Sequence, residues 1–295
     1  MRRRGLGAGL LTIVFWSSAF VGIREGLTAF SAWHLVLLRF ITASLVLLVA
    51  MAAARRRMLP PRAALGRVAV SGLAGFTVYH TALTLGERTV QANTASFIIA
   101  AAPLFTAVLG RIFLRERLAW LGWVGMSVSF LGVGVLSGFG GHLRLNALLI
   151  VLSAISTAVY FVVEKPLLEQ FGALEVTAWV TWAGTLPMLA YWPGVVGAVQ
   201  HAPLPPLLWV LYIGIFPAAL AYVTWSAALS AAPASKVAPL LYLNPILASV
   251  QAWVILRERP GWNLAAGGLM ILAGVFLIQR RGRESGPHRN EESAG

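Results

Sequence analysis

The sequence contains no cysteine and no aspartate, and these absences exclude several kinds of chemistry. Without cysteine there is no disulfide, no thiolate metal site and no cysteine nucleophile. Without aspartate there is no aspartyl-phosphate, no aspartate-based magnesium site and no EF-hand loop. The motifs of P-loop ATPases, HExxH zinc enzymes and GxSxG serine hydrolases are also missing. An enzyme is therefore disfavoured, and we expect no catalytic residue, no cofactor and no metal ion.

Charged residues are scarce as well: they make up 11% of the chain, whereas hydrophobic residues make up 58%. A soluble domain carries about 25% charged residues, so this chain has too few to cover a water-facing surface. The net charge is +13, which in a soluble protein would suggest nucleic acid. Here the basic residues lie in short clusters between long apolar runs, as is typical of membrane topology signals. We therefore expect a lipid bilayer around the protein and no nucleic-acid partner.

Long apolar stretches of the length that a membrane-spanning helix needs, roughly 20 residues, recur along the chain. There are ten of them, at residues 5–23, 33–54, 64–85, 91–113, 118–138, 145–164, 173–198, 206–230, 234–256 and 261–279. The first could alternatively be a secretory signal, but its counterpart in the second half of the chain favours a retained helix. The sequence predicts an all-α integral membrane protein with ten transmembrane helices.

The placement of arginine and lysine predicts the orientation. If the N-terminus lies in the cytoplasm and the spans alternate, most basic residues fall on the cytoplasmic side, including the cluster at 55–57. This distribution follows the positive-inside rule. We expect both termini in the cytoplasm, with residues 282–295 as a polar, disordered cytoplasmic tail.

The two halves of the chain align without a gap when the sequence is shifted by 142 residues, which places Pro103 on Pro245. The same shift superimposes the Leu-Arg-Glu-Arg segments at 114–117 and 256–259. It also superimposes two glycine pairs, Gly125 and Gly132 on Gly267 and Gly274. The halves are therefore copies of one unit.

Each unit has five predicted spans, so the second unit must enter the membrane upside down. We predict a first repeat at 1–140 and a second, inverted repeat at 141–281. Inverted repeats are the architecture of alternating-access transporters, in which the substrate binds between the repeats near the midplane. A static pore is the alternative that a duplication also allows.

Several segments resemble the EamA-type exporters of the drug/metabolite transporter superfamily. They are Phe15 to Ile23, Arg39-Phe40, and the motif from Ala102 to Arg117 with its echo from Asn244 to Arg259. The resemblance extends to about residue 281. It implies export of small metabolites, often amino acids and their relatives, through the bacterial cytoplasmic (inner) membrane. Other superfamily members move nucleotide-sugars, drugs or lipid-linked sugars, and these motifs do not distinguish among them.

Polar and aromatic side chains at helical spacing indicate which helix faces line a cavity. We expect these faces on spans 1, 3, 4, 6, 8 and 9, and we place the almost purely apolar spans 5 and 10 at the periphery. The candidate substrate-binding residues are Trp16, Thr77, His80, Thr84, Asn93, Ser96, Ser156, Tyr160, Tyr222, Trp225, Lys236 and Asn244.

His80 is the most informative candidate, because an ionisable residue inside a membrane usually has a function. Serine and threonine can instead bond the preceding helical turn, and tryptophan and tyrosine can lie at the headgroups. We interpret Arg39 as structural, because it lies near the outer end of its span and can snorkel. Pro103 and Pro245 lie within spans at equivalent positions and are candidate hinges.

The pattern as a whole predicts a secondary transporter that exports small metabolites, most of all amino acids or related amphipathic compounds, by alternating access. An integral membrane enzyme and a passive channel are the alternatives. We expect a small-molecule substrate and a monomer.

Overall fold

The computed structural model describes residues 3–113, 120–137, 145–231, 240–241 and 243–281, and this part of the chain is helical, without strands. Its α-helices are α1 (Arg3–Gly26), α2 (Ala32–Ala53), α3 (Leu65–Gly72), α4 (Tyr79–Gly86), α5 (Ala92–Ile99), α6 (Ala102–Phe113), α7 (Trp120–Ser137), α8 (Leu145–Leu168), α9 (Ala173–Met188), α10 (Val195–His201), α11 (Leu204–Ile215), α12 (Ala221–Ala231), α13 (Leu243–Leu256) and α14 (Trp262–Arg281). The predicted tail at 282–295 and Lys236 lie outside the described residues.

The all-α membrane fold predicted from the sequence is confirmed. Within the described ranges, five helical stretches are long and apolar enough to cross a membrane: Gly7–Gly26, Ala32–Ala53, Arg62–Gly86, Leu145–Leu168 and Leu204–Trp225. Shorter apolar helices cover Ala92–Thr106, Trp120–Val135, Leu243–Leu256 and Trp262–Leu277. The count of ten spans stays a prediction.

The fourth predicted span is a broken helix rather than the single helix expected at 91–113. Helix α5 ends at Ile99, Ala100 and Ala101 form a turn, and α6 begins at Ala102. The position of Pro103 accounts for the interruption, because proline has no backbone N–H to continue a helix and is tolerated in a first turn, here that of α6. Pro245 likewise lies in the first turn of a helix, because α13 begins at Leu243. Residues 240–241 have 3₁₀ geometry.

The third predicted span of each repeat contains a π-helical segment, which the sequence analysis did not predict. The first segment is Leu73–Val78 and the second is Phe216–Leu220, and the repeat shift superimposes them. Pro217 lacks a backbone N–H, which removes one regular helical bond in the second segment. In the first segment, the ring of Tyr160 packs directly on Gly75, where no Cβ would fit.

The seventh predicted span, 173–198, is also interrupted. Helix α9 ends at Met188, a 3₁₀ turn follows at Leu189–Tyr191, and α10 begins at Val195. Gly194 has a φ of 85°, a left-handed conformation that glycine adopts without strain. The chain therefore turns at Gly194 instead of continuing the helix.

Helices α7 and α14, the last predicted span of each repeat, pack against each other through glycines. Gly132 faces the carbonyl oxygen of Gly267, and Gly274 faces that of Gly125. The residue that comes earlier in α7 thus contacts the one that comes later in α14, so the two helices are antiparallel. Under the repeat shift of 142 residues, the contact between Gly125 and Gly274 becomes the contact between Gly267 and Gly132, and the reverse.

The centre of this pair is a hydrogen bond between equivalent positions. Ser129 Oγ donates to the carbonyl oxygen of Ile271 at 3.2 Å, and the two residues are 142 apart, which is the repeat shift. A contact between equivalent residues of antiparallel helices lies on a local two-fold axis. This geometry is what an inverted repeat requires.

The glycine contact predicts a local loss of stability on substitution. Gly274→Ala places a methyl group against the Gly125 carbonyl, and overpacking of this kind destabilises a helix pair by roughly 1–3 kcal/mol. We expect a lower midpoint of thermal unfolding in detergent. Gly66→Ala is the control, because no atom lies within 4 Å of the added methyl. An unchanged midpoint for Gly274→Ala would contradict the close packing of α7 on α14.

The orientation predicts which side of the membrane exposes the turn before α14. In this cysteine-free chain, Arg259→Cys adds a thiol at an exposed position, whereas the neighbouring Glu258 is buried. We expect an impermeant maleimide to label the 259 thiol in intact cells. Arg56→Cys, exposed in the loop after α2, is the matched variant and should react only after the cells are permeabilised. The reverse pattern would refute the cytoplasmic placement of the termini.

Candidate functional site

A cavity of about 170 Å³ lies between the two halves of the chain, and both halves contribute to its wall. Its polar and aromatic lining includes Trp16, Arg39, Tyr79 and His80 from the first half and Tyr160, Tyr222 and Asn244 from the second. Ile99 and Ala100 at the end of α5 and Pro245 in α13 complete this part of the wall. The turn after α5 and the first turn of α13 therefore border the cavity, which is where a membrane protein tolerates irregular backbone.

One side of the cavity is aromatic. The Trp16 ring lies 5.5 Å from Tyr222, edge to face, and 5.4 Å from Trp225. Phe76, from the first π-helical segment, lies 5.7 Å from Tyr222 and 5.9 Å from Tyr160. These centroid distances are in the range of favourable aromatic pairs, so the rings form a connected apolar surface.

The polar side of the cavity is formed by Arg39 and His80. Arg39 Nη1 lies 3.3 Å from His80 Nδ1. A guanidinium group has only donors, so His80 Nδ1 must accept this bond and the ring proton must be on Nε2. The imidazole is packed between rings, with centroids 4.5 Å from Phe40 and 4.3 Å from Tyr79.

A buried carboxylate lies behind the aromatic wall. Tyr160, which lines the cavity, donates its hydroxyl to Glu164 Oε1 at 2.7 Å. Glu164 is 7% exposed and lies one helical turn further along α8. The tyrosine thus connects an acidic group to the cavity.

The cavity brings together some of the predicted site residues and not others. Trp16, His80, Tyr160, Tyr222, Asn244 and the candidate hinge Pro245 line it. Trp225 lies behind Trp16. Pro103 is the second residue of α6, and Lys236 lies outside the described residues.

Several polar candidates bond to the backbone instead of facing the cavity. Thr77 donates to the carbonyl of Gly184, and Ser156 to that of Ala74. Ser96 donates to the carbonyl of Asn93, at the start of its own helix. Thr84 and Asn93 are buried outside the cavity wall. Thr77, Ser96 and Ser156 thus satisfy backbone carbonyls, which the sequence pattern does not distinguish from a cavity face. The Thr84 hydroxyl has no hydrogen-bond partner among the described residues.

Arg39 is the residue whose interpretation the structure corrects. We expected it to snorkel to the surface, but its side chain is 3% exposed and lines the cavity. It lies about 10 Å from the start of α2, given a rise of 1.5 Å per residue. The rule that intramembrane ionisable residues are functional, applied to His80, would have identified Arg39 as well.

A second polar cluster lies at the end of the helices nearest to Arg39. It consists of Arg24, Glu258 and the start of α5, and we call it the Glu258 cluster. Glu258 accepts hydrogen bonds from the backbone N–H groups of Ala92 and Asn93 at 3.2 and 3.3 Å. Its carboxylate lies 3.6 Å from Arg24 Nε, the one ion pair among the described residues. Glu258 belongs to the repeated Arg-Glu-Arg motif, so a motif of the second half caps a helix of the first.

The fold and the cavity together define a class. An all-helical chain that contains several apolar helices, an antiparallel pair of equivalent helices and a central cavity is a multi-span membrane transporter. Residues 3–138 and 144–280 each match the EamA-like transporter family, and the chain belongs to this family. It is therefore a membrane-embedded transporter with two EamA repeats and not an enzyme.

Individual relatives agree with this assignment. The chain is 37% identical over 281 residues to a probable terminal-alkyne amino-acid exporter of Streptantibioticus cattleyicolor, covering 94% of each chain. It is 33% identical to an uncharacterised transporter of Bacillus subtilis, with 90% of this chain and 87% of the relative covered. A probable amino-acid metabolite efflux pump of Salmonella typhimurium is 27% identical, covering 97% of this chain and 100% of that one.

A solved crystal structure has the same fold. It aligns with a TM-score of 0.65 over 96% of this chain and 99% of its own length, at 20% identity.

The Glu258 cluster predicts a stabilising role for one carboxylate. Glu258→Gln removes the charge that caps two helix N–H groups and pairs with Arg24, a loss of roughly 1–2 kcal/mol. We expect a lower midpoint of thermal unfolding. The same change at Glu169, which is exposed, should leave the midpoint unchanged. Equal midpoints for the two variants would show that the cluster contributes nothing to stability.

Proposed function

We propose that the protein is a secondary transporter that exports small amphipathic metabolites, most of all amino acids and related compounds, across the bacterial cytoplasmic (inner) membrane. It does so by alternating access, as a monomer with both termini in the cytoplasm. The solute binds between the repeats at 1–140 and 141–281, and no ATP is hydrolysed by this chain.

The observation that carries the proposal is the small cavity with one aromatic and one polar side. Drug-sized ligands occupy pockets of about 300–1,000 Å³, so a cavity of 170 Å³ favours a smaller solute. Trp16 and Tyr222 suit the apolar part of such a solute, and Arg39, His80 and Asn244 suit its hydrogen-bonding part. This combination is what an amino acid with an apolar side chain presents.

Further support comes from the names of two relatives. The S. cattleyicolor and S. typhimurium relatives are both named for amino-acid compounds that leave the cell, which supports export and this substrate class. The larger cargoes of the superfamily, nucleotide-sugars, drugs and lipid-linked sugars, fit the cavity volume less well.

The two alternatives from other classes have less support. A membrane enzyme needs a close catalytic or metal-binding cluster, and the described part of the chain holds no group of three or more His, Cys, Asp and Glu side chains that could bind a metal. A passive channel needs no repeat-related bends. Two kinds of irregularity recur in both repeats: a helix that begins shortly before Pro103 or Pro245, and a π-helical segment. The ends of the pathway can move in turn at these symmetric sites, so both prolines remain our candidate hinges.

A counterflow experiment tests this proposal. Liposomes that contain purified protein, no nucleotide and unlabelled L-leucine and L-phenylalanine should accumulate the labelled amino acids from outside, because a carrier exchanges solute faster than it returns empty. We expect Trp16→Ala and Tyr222→Ala each to lower the initial rate about tenfold or more, since aromatic contacts in a binding site contribute roughly 1–3 kcal/mol.

Trp123→Ala is the matched control. Trp123 is half exposed on α7, away from the cavity, and its replacement should leave the rate unchanged. An absolute requirement for nucleotide, or flux without trans-stimulation, would refute secondary transport by alternating access. Equal losses in Trp123→Ala and Tyr222→Ala would show that the cavity is not the substrate site.

A further inference from the structure

We infer that Arg39, held by His80, is the subsite that binds the carboxylate of the transported solute, and that it selects acids over their neutral analogues. This inference rests on the proposed function and specifies the chemical group that the site recognises. It assigns a substrate-binding role to a residue that sequence reasoning had treated as structural.

The first step is that Arg39 has a permanent charge in a place where a charge is costly. Guanidinium groups do not lose their proton in proteins, and a buried charge is stable only if it is paired. Arg39 is 3% exposed, and no carboxylate lies within 4 Å of it in the described residues, where the only ion pair is Arg24–Glu258. The protein itself therefore leaves this cation without a close anion.

The carboxyl group that acts electrostatically on Arg39 is that of Glu87, just beyond the end of α4. Burial raises the pKa of the Glu87 carboxyl well above its ordinary value, and the neighbouring Arg24 only partly opposes this. Glu87 is fully buried, and both of its carboxyl oxygens lack a hydrogen-bond partner among the described residues. It is therefore a weak counter-ion for Arg39.

The second step is that two N–H donors beside the cavity have no partner. Arg39 Nε and His80 Nε2 have no hydrogen-bond partner in the described part of the chain, and both residues line the cavity. Because His80 Nδ1 accepts from Arg39, His80 Nε2 carries the proton. The pair thus offers two unused N–H donors, and a carboxylate can accept two such bonds.

The third step is the position of the polar pair relative to the rest of the cavity. Asn244 Oδ1, on the opposite half of the chain, is a buried acceptor without a partner among the described residues. Arg39, His80 and Asn244 all line the cavity, and one acceptor with two donors matches the ammonium and carboxylate groups of an amino acid. The aromatic surface around Trp16 and Tyr222 then receives the side chain.

Packing fixes the cationic group where it can act. The Arg39 guanidinium carbon lies 5.4 Å from the Phe40 ring centroid, and the His80 ring is packed against both Phe40 and Tyr79. A donor that is already oriented loses little freedom when the solute binds. Phe40 and Tyr79 therefore act as positioning residues for the subsite.

The experiment measures selectivity rather than total activity. Counterflow of labelled L-leucine is competed by unlabelled L-leucine and by L-leucinamide, which has nearly the same shape and no carboxylate. In the wild-type protein, we expect L-leucinamide to need a concentration about 10- to 100-fold higher than L-leucine for half-inhibition, the range for hydrogen bonds to charged groups. Arg39→Gln should abolish this difference, and Arg39→Lys should keep part of it because it keeps the charge.

Arg88→Gln is the matched control, since Arg88 is exposed and outside the cavity wall; its half-inhibition ratio should equal that of the wild type. The ratio does not depend on how much protein folds, and a melting curve of each variant separates folding from recognition. A structural role for Arg39 would lower flux and stability but leave the ratio unchanged, and this result would overturn the inference.

Two further outcomes separate this inference from the proposed function. Wild-type counterflow of L-leucine that L-leucinamide inhibits equally well would overturn the carboxylate subsite and leave amino-acid transport intact. Absence of counterflow for every amino acid tried would overturn the proposed function, and the inference with it.

Discussion

The fold follows from one constraint: a backbone N–H or C=O group in hydrocarbon has no water to bond, so each must be satisfied within the protein. The described chain meets this constraint with helices, and two of its interruptions lie where protein or cavity surrounds them. The turn after Ile99 faces the cavity, and the π-helical segment at Leu73–Val78 packs against α8 and α9. At the start of α5, the N–H groups of Ala92 and Asn93 bond to Glu258. Irregular backbone at Gly75 and Ala100 thus borders the cavity, whereas most of its side chains come from regular helices.

The symmetry of the scaffold comes from close backbone contact. The glycines of α7 and α14 allow the two equivalent helices to approach until Ser129 bonds to Ile271, and helix association in membranes depends on small residues of this kind. Since these helices contribute nothing to the described cavity wall, they can hold the repeats together while the cavity changes shape. Stability and transport are therefore assigned to different helices.

Much of this architecture could be predicted from the sequence, because apolar runs and the repeat shift are properties of the chain itself. The peripheral position of α7 and α14 followed from their lack of polar residues. Arg39 was misjudged because hydropathy and spacing do not tell whether an arginine near a helix end turns to the surface or inward. The threonine and serine faces were ambiguous for a similar reason, since Thr77 and Ser156 bond carbonyls of neighbouring helices. In the sequence, Pro217 was the only residue that indicated an irregular helix at either π-helical segment.

The two repeats have diverged most visibly where they meet the cavity. The 142-residue shift places Arg39 on Thr181 and His80 on Tyr222, so the cation has no counterpart in the second half. Under the proposed alternating access, two identical inverted repeats would relate the inward-facing and outward-facing conformations by a two-fold rotation, so both would have the same free energy. A single buried cation breaks that equality, because its surroundings differ between the two conformations. The proposed mechanism therefore implies a preferred resting side for the empty protein, and a bound anion would shift the balance by the difference in its affinity for the two conformations.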